Sequence, residues 1–271
     1  MPVNPRTLLV ALCALSLPAS AQDAGAPDGP ARLDALLRAT VRPSGVNYPA
    51  LRARLPELQA AHQWFATHGP RSTPAEFPTA NARLAYWLNA YNVTVLRGVA
   101  EAPPSMRNVL TYLPDSGFFR ARRWRVDGRE LTLDHIENTE VRPVFRDARV
   151  HFALNCAARS CPPLRAEAYT AARVNAQLDE QARRYLNHPG AVTVDAAAHT
   201  VAVTQLFEWF RADFLAGAPP RARGVGATVP GFIIAFASPT LRAALEAACG
   251  ADLTGCTVNH TDYDWSLNEA R

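Results

Sequence analysis

The chain has 271 residues, enough for one large core or a core with a small appendage, and 48% of them are hydrophobic. Its 28 basic residues, all Arg, against 24 acidic ones leave only a slight positive charge. Apart from the Arg-rich run at 120–125 there is no basic stripe with interleaved aromatics, which argues against a nucleic-acid partner, and no stretch is long and apolar enough to span a bilayer as a helix.

The first element is a predicted secretory signal. Arg6, the apolar run LLVALCALSL and the small residues ASA at 19–21 give a charged start, a short hydrophobic region and a cleavage box after Ala21. Residues 1–21 are therefore read as removed, which discards Cys13 and makes the remaining chain periplasmic or secreted. Residues 22–30, QDAGAPDGP, read as a flexible leader, and 31–271 as a single domain without internal repeats.

Residues 31–39 have helical spacing. A turn at Tyr48-Pro49 precedes a helix restarted near Pro56. The strongest helix lies within 76–102, where Leu84, Trp87, Leu88, Tyr91 and Val95 share one face and Thr79 or Asn81 suits the cap. Alternation around Asp127-Gly128 predicts a hairpin, and Thr132 is placed to cap a helix through LTLDHIENTEVRPVF. ARVHFALNC, residues 148–156, reads as a buried strand. An amphipathic helix follows at 167–187, then a second hairpin from 191, helical segments in EWFRADF, GFIIAFA and PTLRAALEAAC, and a closing segment YDWSLNEA. Helices lead and strands come as hairpins. The expected class is α+β, a helix-rich domain with a small, mainly antiparallel sheet.

Four cysteines remain after Cys13 is discarded. An even number in an oxidising compartment favours disulfides. CGADLTGC, with two glycines, suits a tight Cys249–Cys256 loop. Cys156 has three open readings: a disulfide with Cys161, a reactive thiolate, or a metal corner with His151, Cys161 and His135. The H-x4-C-x4-C spacing is not a standard zinc arrangement, so no metal or other cofactor is expected. His151 lies close to Cys156 in sequence, but five residues of strand span roughly 16 Å. The two meet only if the chain turns sharply at Asn155. His135 and His260 are the other histidines able to reach a site. Glu137, between apolar Ile136 and Val141, reads as half-buried and in need of a partner. Asn89 and Asn92 share a flank of the strong helix, either as staples for loop backbone or as pocket lining.

Together, YWLNAYN, LTLDHIEN, HFALNCAARSCPPLRAEAYTA, VTQLFEWFRADF and YDWSLN resemble, in order, the domain-of-unknown-function family numbered 547. The resemblance picks out Asn89, Tyr91, Asn92, Glu137, His151, Cys156 and Asp264. It departs from the family at Asn138, where the helix block commonly reads Ile-Glu-His. The family's name assigns no activity. The expectation is a cysteine-dependent hydrolase or acyl transferase on a peptide-like substrate. Cys156 would be the nucleophile, His151 the base, Glu137 or Asp264 the group orienting it, and Asn89, Tyr91 and Asn92 pocket residues. The alternative is a non-catalytic binding or scaffold domain closed by a Cys156–Cys161 disulfide. Either would take an unidentified small-molecule or peptide ligand.

Overall fold

The computed structural model describes residues 28–216 and 228–270; the predicted signal at 1–21 with Cys13, and residues 22–27 of the predicted leader, lie outside them. Local capping starts several of the helices. Asp28 accepts from the Ala31 N–H at 2.9 Å to open α1 (Gly29–Thr40), which leads into the short hairpin β1 (Val41–Arg42) and β2 (Gly45–Val46). Asn47 caps α2 (Tyr48–Ala53), and Pro56 sits in the first turn of α3 (Leu55–Thr67), so the expected break falls at Arg54. Thr79, rather than Asn81, caps α4 (Ala80–Glu101) through the Ala82 N–H at 3.1 Å.

From Leu84 to Leu96 every residue of α4 is buried. A helix that is apolar nearly all round belongs inside a core. It packs against α3, α2 and α8. Each fully buried Leu, Val or Tyr contributes roughly 1.5–3 kcal/mol, and this is the central pillar of the larger of two hydrophobic clusters.

After α5 (Gly117–Arg120), β3 (Trp124–Val126) pairs with β4 (Arg129–Leu131) through the predicted Asp127-Gly128 turn, with φ of 51° and 72°. Both angles are positive, as a type I′ turn requires. Thr132 caps α6 (Leu133–His135) through the His135 N–H. The helix then widens into a π-helical turn, Ile136–Val141, before α7 (Arg142–Phe145).

The predicted strand at 148–156 is not one. Asp147 accepts the Arg149 N–H at 3.0 Å and opens a 3-10 helix, Ala148–Phe152. Val150, His151 and Phe152 are all buried, so the side chains do not alternate between faces. The capping carboxylate just ahead of the run outweighed its apolar alternation.

The amphipathic α8 (Val174–Leu186) begins later than expected. The second hairpin, β5 (Val192–Asp195) and β6 (Thr200–Thr204), forms as predicted. Then come α9 (Leu206–Trp209), α10 (Arg211–Ala216), α11 (Val229–Ile234), α12 (Pro239–Cys249) and β7 (Thr257–Thr261). β7 lies parallel to β6, and among the described residues the strands form three small sheets, antiparallel except at this pair. This sheet and the last helices enclose the second cluster, around Phe152, Phe207, Phe214 and Phe232.

The closing segment threads back through the larger body as a strap. The Asn268 N–H donates to Ala157 at 2.9 Å, Leu267 to Arg107 at 2.8 Å, and the Val46 N–H donates to Asn268 at 2.9 Å. Gly45 permits this crossing: its φ is 139°, and a Cβ there would lie 2.2 Å from the Asn268 carbonyl oxygen.

Candidate functional site

Asn92 fixes the loop that carries the cysteines. Its Nδ2 donates to the Ala153 carbonyl at 2.9 Å and its Oδ1 accepts the Asn155 N–H at 2.9 Å. Asn89 does the same for a neighbouring loop, with Tyr169 as both partners at 2.8 and 2.9 Å. Each of these bonds is worth about 1 kcal/mol net. Neither Asn lines the Cys156 cleft, and of their two readings, staple or pocket lining, their bonds are those of staples; Tyr91, between them, does line it.

Asn155, also buried, organises the turn. It donates to Pro162 at 2.8 Å and accepts from the Ala157 N–H at 3.0 Å and from Asn268 at 3.3 Å. Ala157 adopts a left-handed φ of 61°. The sharp turn after Asn155 is therefore present, and it delivers Cys156 to a cleft of about 400 Å³.

Cys156 and Cys161 are both free thiols, so the disulfide of the alternative, scaffold reading is not formed. The Cys156 N–H donates to Cys161 Sγ at 3.0 Å, and the Tyr263 hydroxyl lies 3.4 Å from Cys156 Sγ. Burial alone would raise the Cys156 thiol. Hydrogen bonds from Cys161, Tyr263 and the Ala158 N–H outweigh it and hold the thiol below its ordinary value. Burial, then the bond to Cys156, push Cys161 well up, so Cys161 is the proton-bearing partner. Tyr263 is likewise held protonated by burial and donates.

His151 enters the same cleft from the 3-10 turn. Its Nε2 lies 2.8 Å from Asp213 Oδ2 on α10, and Arg142 Nε donates to the same oxygen at 2.6 Å. The ring stacks on Phe210 at 4.0 Å, and the Arg142 guanidinium also lies over that Phe, 4.6 Å from its centroid. Burial lowers the His151 pKa against the pull of Asp213. The Asp213 carboxyl is held far below its usual range by the His151 and Arg142 bonds. The imidazole is thus neutral near pH 7, with Nε2–H donated to the carboxylate.

Glu137 is half-buried on the π turn and lines the cleft. Burial raises its pKa to about 7 while Arg142 pulls the other way, and the Tyr91 hydroxyl donates to Oε2 at 3.4 Å. It is not the partner of His151. Nor is Asp264, which accepts the Ser266 N–H at 2.8 Å and faces Arg159 at 3.8 Å on the surface. Asp213 holds the position expected of them. His135 pairs with Glu140 at 3.3 Å, and His260 faces Glu208 at 3.8 Å; neither lines the cleft.

The outer wall is aromatic. Trp209 is 45% exposed, and its ring lies 5.7 Å from Trp265 and 4.9 Å from Tyr263. Asp213, Trp209 and Tyr263 were not singled out from the sequence. Asp213 and Trp209 stand in EWFRADF and Tyr263 opens YDWSLN, blocks quoted as a helical and a closing segment and for their resemblance. Cys249 and Cys256 form the expected disulfide, with Cα atoms 4.4 Å apart. Among the described residues no group of three or more His, Cys, Asp or Glu is placed to hold a metal ion, and no helix is long and apolar enough to cross a membrane.

Residues 75–186 match the model of the family described as Protein of unknown function, DUF547, and over this stretch the chain is similar to that family. The match contains Tyr91, Glu137, His151, Cys156 and Cys161; the cleft residues Trp209, Asp213, Tyr263 and Trp265 lie beyond it. No curated protein and no solved structure matches the chain.

Proposed function

We propose that the chain is a thiol-dependent acyl-transfer enzyme, a hydrolase or acyl transferase acting on a peptide-like substrate after export. Cys156 is the nucleophile. The observation that carries this reading is the Cys156 thiol itself. It is free, opens on a cleft, lies 3.4 Å from the Tyr263 hydroxyl, and is held below its ordinary pKa by Cys161, Tyr263 and the Ala158 N–H. The cleft gives a peptide two kinds of wall. Trp209, Tyr263 and Trp265 offer apolar surface, and Asp134, Glu137 and Asn138 offer polar groups. Its volume lies within the usual range for small-molecule and peptide-residue sites.

The test is a comparison of thiols. Iodoacetamide at neutral pH should label Cys156 faster than Cys161, read by peptide mass mapping. p-Nitrophenyl acetate should give a burst of one p-nitrophenol per chain that Cys156→Ser abolishes. A Cys156 that is oxidised as isolated, or no faster than Cys161, removes the nucleophile.

A further inference from the structure

Two groups in the cleft are candidates to move protons for Cys156, and the structure treats them differently. His151 is immobilised. Its Nε2 is bound to Asp213, its ring lies against Phe210 and Phe214, and among the described residues no hydrogen bond joins it to Cys156. Glu137 is held loosely. Its one side-chain bond is the 3.4 Å contact from Tyr91, and it has no ion pair among the described residues, because Arg142 is engaged by Asp213 and Asn138. Its backbone is unusual as well. The Arg142 N–H reaches the Glu137 carbonyl five residues back, in a π turn. Such turns are rare and gather at functional sites. This one presents Glu137 to the cleft.

We propose that Glu137, and not His151, is the acid–base residue of the Cys156 site. The proposal rests on Cys156 being the nucleophile. In acylation the Cys156 thiolate attacks the substrate carbonyl carbon, a C–S bond forms, the C–N bond breaks, and the leaving nitrogen takes the Glu137 carboxyl proton. In deacylation the Glu137 carboxylate takes a proton from water as that water attacks the thioester. The C–S bond breaks, the thiolate returns, and the acid carries away the hydroxyl. Amide and water give acid and amine, and Glu137 ends protonated as it began. An amine in place of water gives transfer instead of hydrolysis.

A carboxyl held near 7 by burial has both forms at hand at neutral pH, as such a double role needs. Tyr91 from α4, Asp134 from α6, Arg142 from α7, Asp213 from α10 and the Cys156 thiol face it. Tyr91 is held protonated by burial, and Asp213 stays ionised. The Glu137 charge also raises the Cys156 pKa, so the two titrations are linked. His151 is then a positioning residue. With Asp213 and Arg142 it braces the π turn through the Arg142–Asn138 bond.

The test uses the full chain and two reagents. The iodoacetamide rate of Cys156 against pH should show two steps in the wild type and one in Glu137→Gln, a change that a structural role would not produce. With p-nitrophenyl acetate, whose leaving group needs no acid, Glu137→Gln should keep the burst. Its steady-state turnover should fall about 100-fold and lose the rising limb near pH 7. Glu137→Asp should retain a displaced limb, which guards against a folding defect. His151→Gln should keep the limb near pH 7, whatever its loss in turnover. A limb that survives in Glu137→Gln and vanishes in His151→Gln assigns the proton to His151 and overturns the proposal, while Cys156 stands. A wild type with no burst removes the nucleophile and Glu137's role with it.

Discussion

Two cysteine pairs look alike in the sequence and part ways in the structure. Cys249 and Cys256 are seven residues apart and bonded; Cys156 and Cys161 are five apart and free. The first pair follows a helix end. Gly250 and Leu253 take left-handed φ values of 78° and 56°, and the Gly255 N–H returns to the Cys249 carbonyl at 2.8 Å. This brings the two Cα atoms to 4.4 Å, at the short end of disulfide geometry. In the second pair the Asn92 and Asn155 amides hold the loop, and each sulfur already has hydrogen-bonding work. One loop has its glycines arranged to close a bond, and the other has its amides arranged to present a thiol.

The contrast can be broken by experiment. Removing Cys156 has the largest expected effect: Cys156→Ser should lose thiol-dependent turnover by orders of magnitude, as removal of a nucleophile does, while thermal unfolding barely moves. Next is the pH dependence of stability. The Glu137 pKa is raised from an unfolded value near 4.5 to about 7. Between these values the folded state keeps a proton that the unfolded state has lost, so the favourable contribution is complete below about 4.5 and fades as pH rises through 7. Glu137→Gln should therefore be more stable than the wild type at pH 8, by up to roughly 3 kcal/mol, and no more stable at pH 4. Urea midpoints at the two pH values measure this.

Replacing Cys249 and Cys256 with Ser should cost about 2.5 kcal/mol in a denaturant titration, the loop entropy of a short closure. Cys156 alkylation should not change, since the disulfide lies in the other cluster. Tyr263→Phe removes one donor to the thiolate, so the Cys156 pKa should rise by roughly one unit and alkylation at neutral pH slow about tenfold. Asp264→Asn, expected from the sequence to touch the site, should move stability by less than about 0.5 kcal/mol and leave alkylation unchanged.

What the sequence revealed was chiefly local. The Thr79 cap, the Asp127-Gly128 hairpin, the break at Pro56 and the Cys249–Cys256 loop each depend on a few adjacent residues, and each was readable. So was the buried face of α4. The run at 148–156 misled because two local signals competed, and the Asp147 cap prevailed over apolar alternation. Cys156, His151, Glu137 and Tyr91 were named from the sequence and meet in one cleft. Their partners were not legible: Asp213 lies 62 residues from His151, and Tyr263 lies 107 residues from Cys156. No spacing rule reaches that far, and an Asp in a helical segment or a Tyr beside a turn has many ordinary uses.

The strap adds a matter of timing. Tyr263 is synthesised after everything else that touches Cys156, and it is held in place by the backbone bonds of residues 264–268 to loops made much earlier. Until that segment docks, the thiol lacks one of its donors and remains closer to an ordinary cysteine. The surroundings of the Cys156 thiol are therefore completed last, when the segment that carries Tyr263 docks.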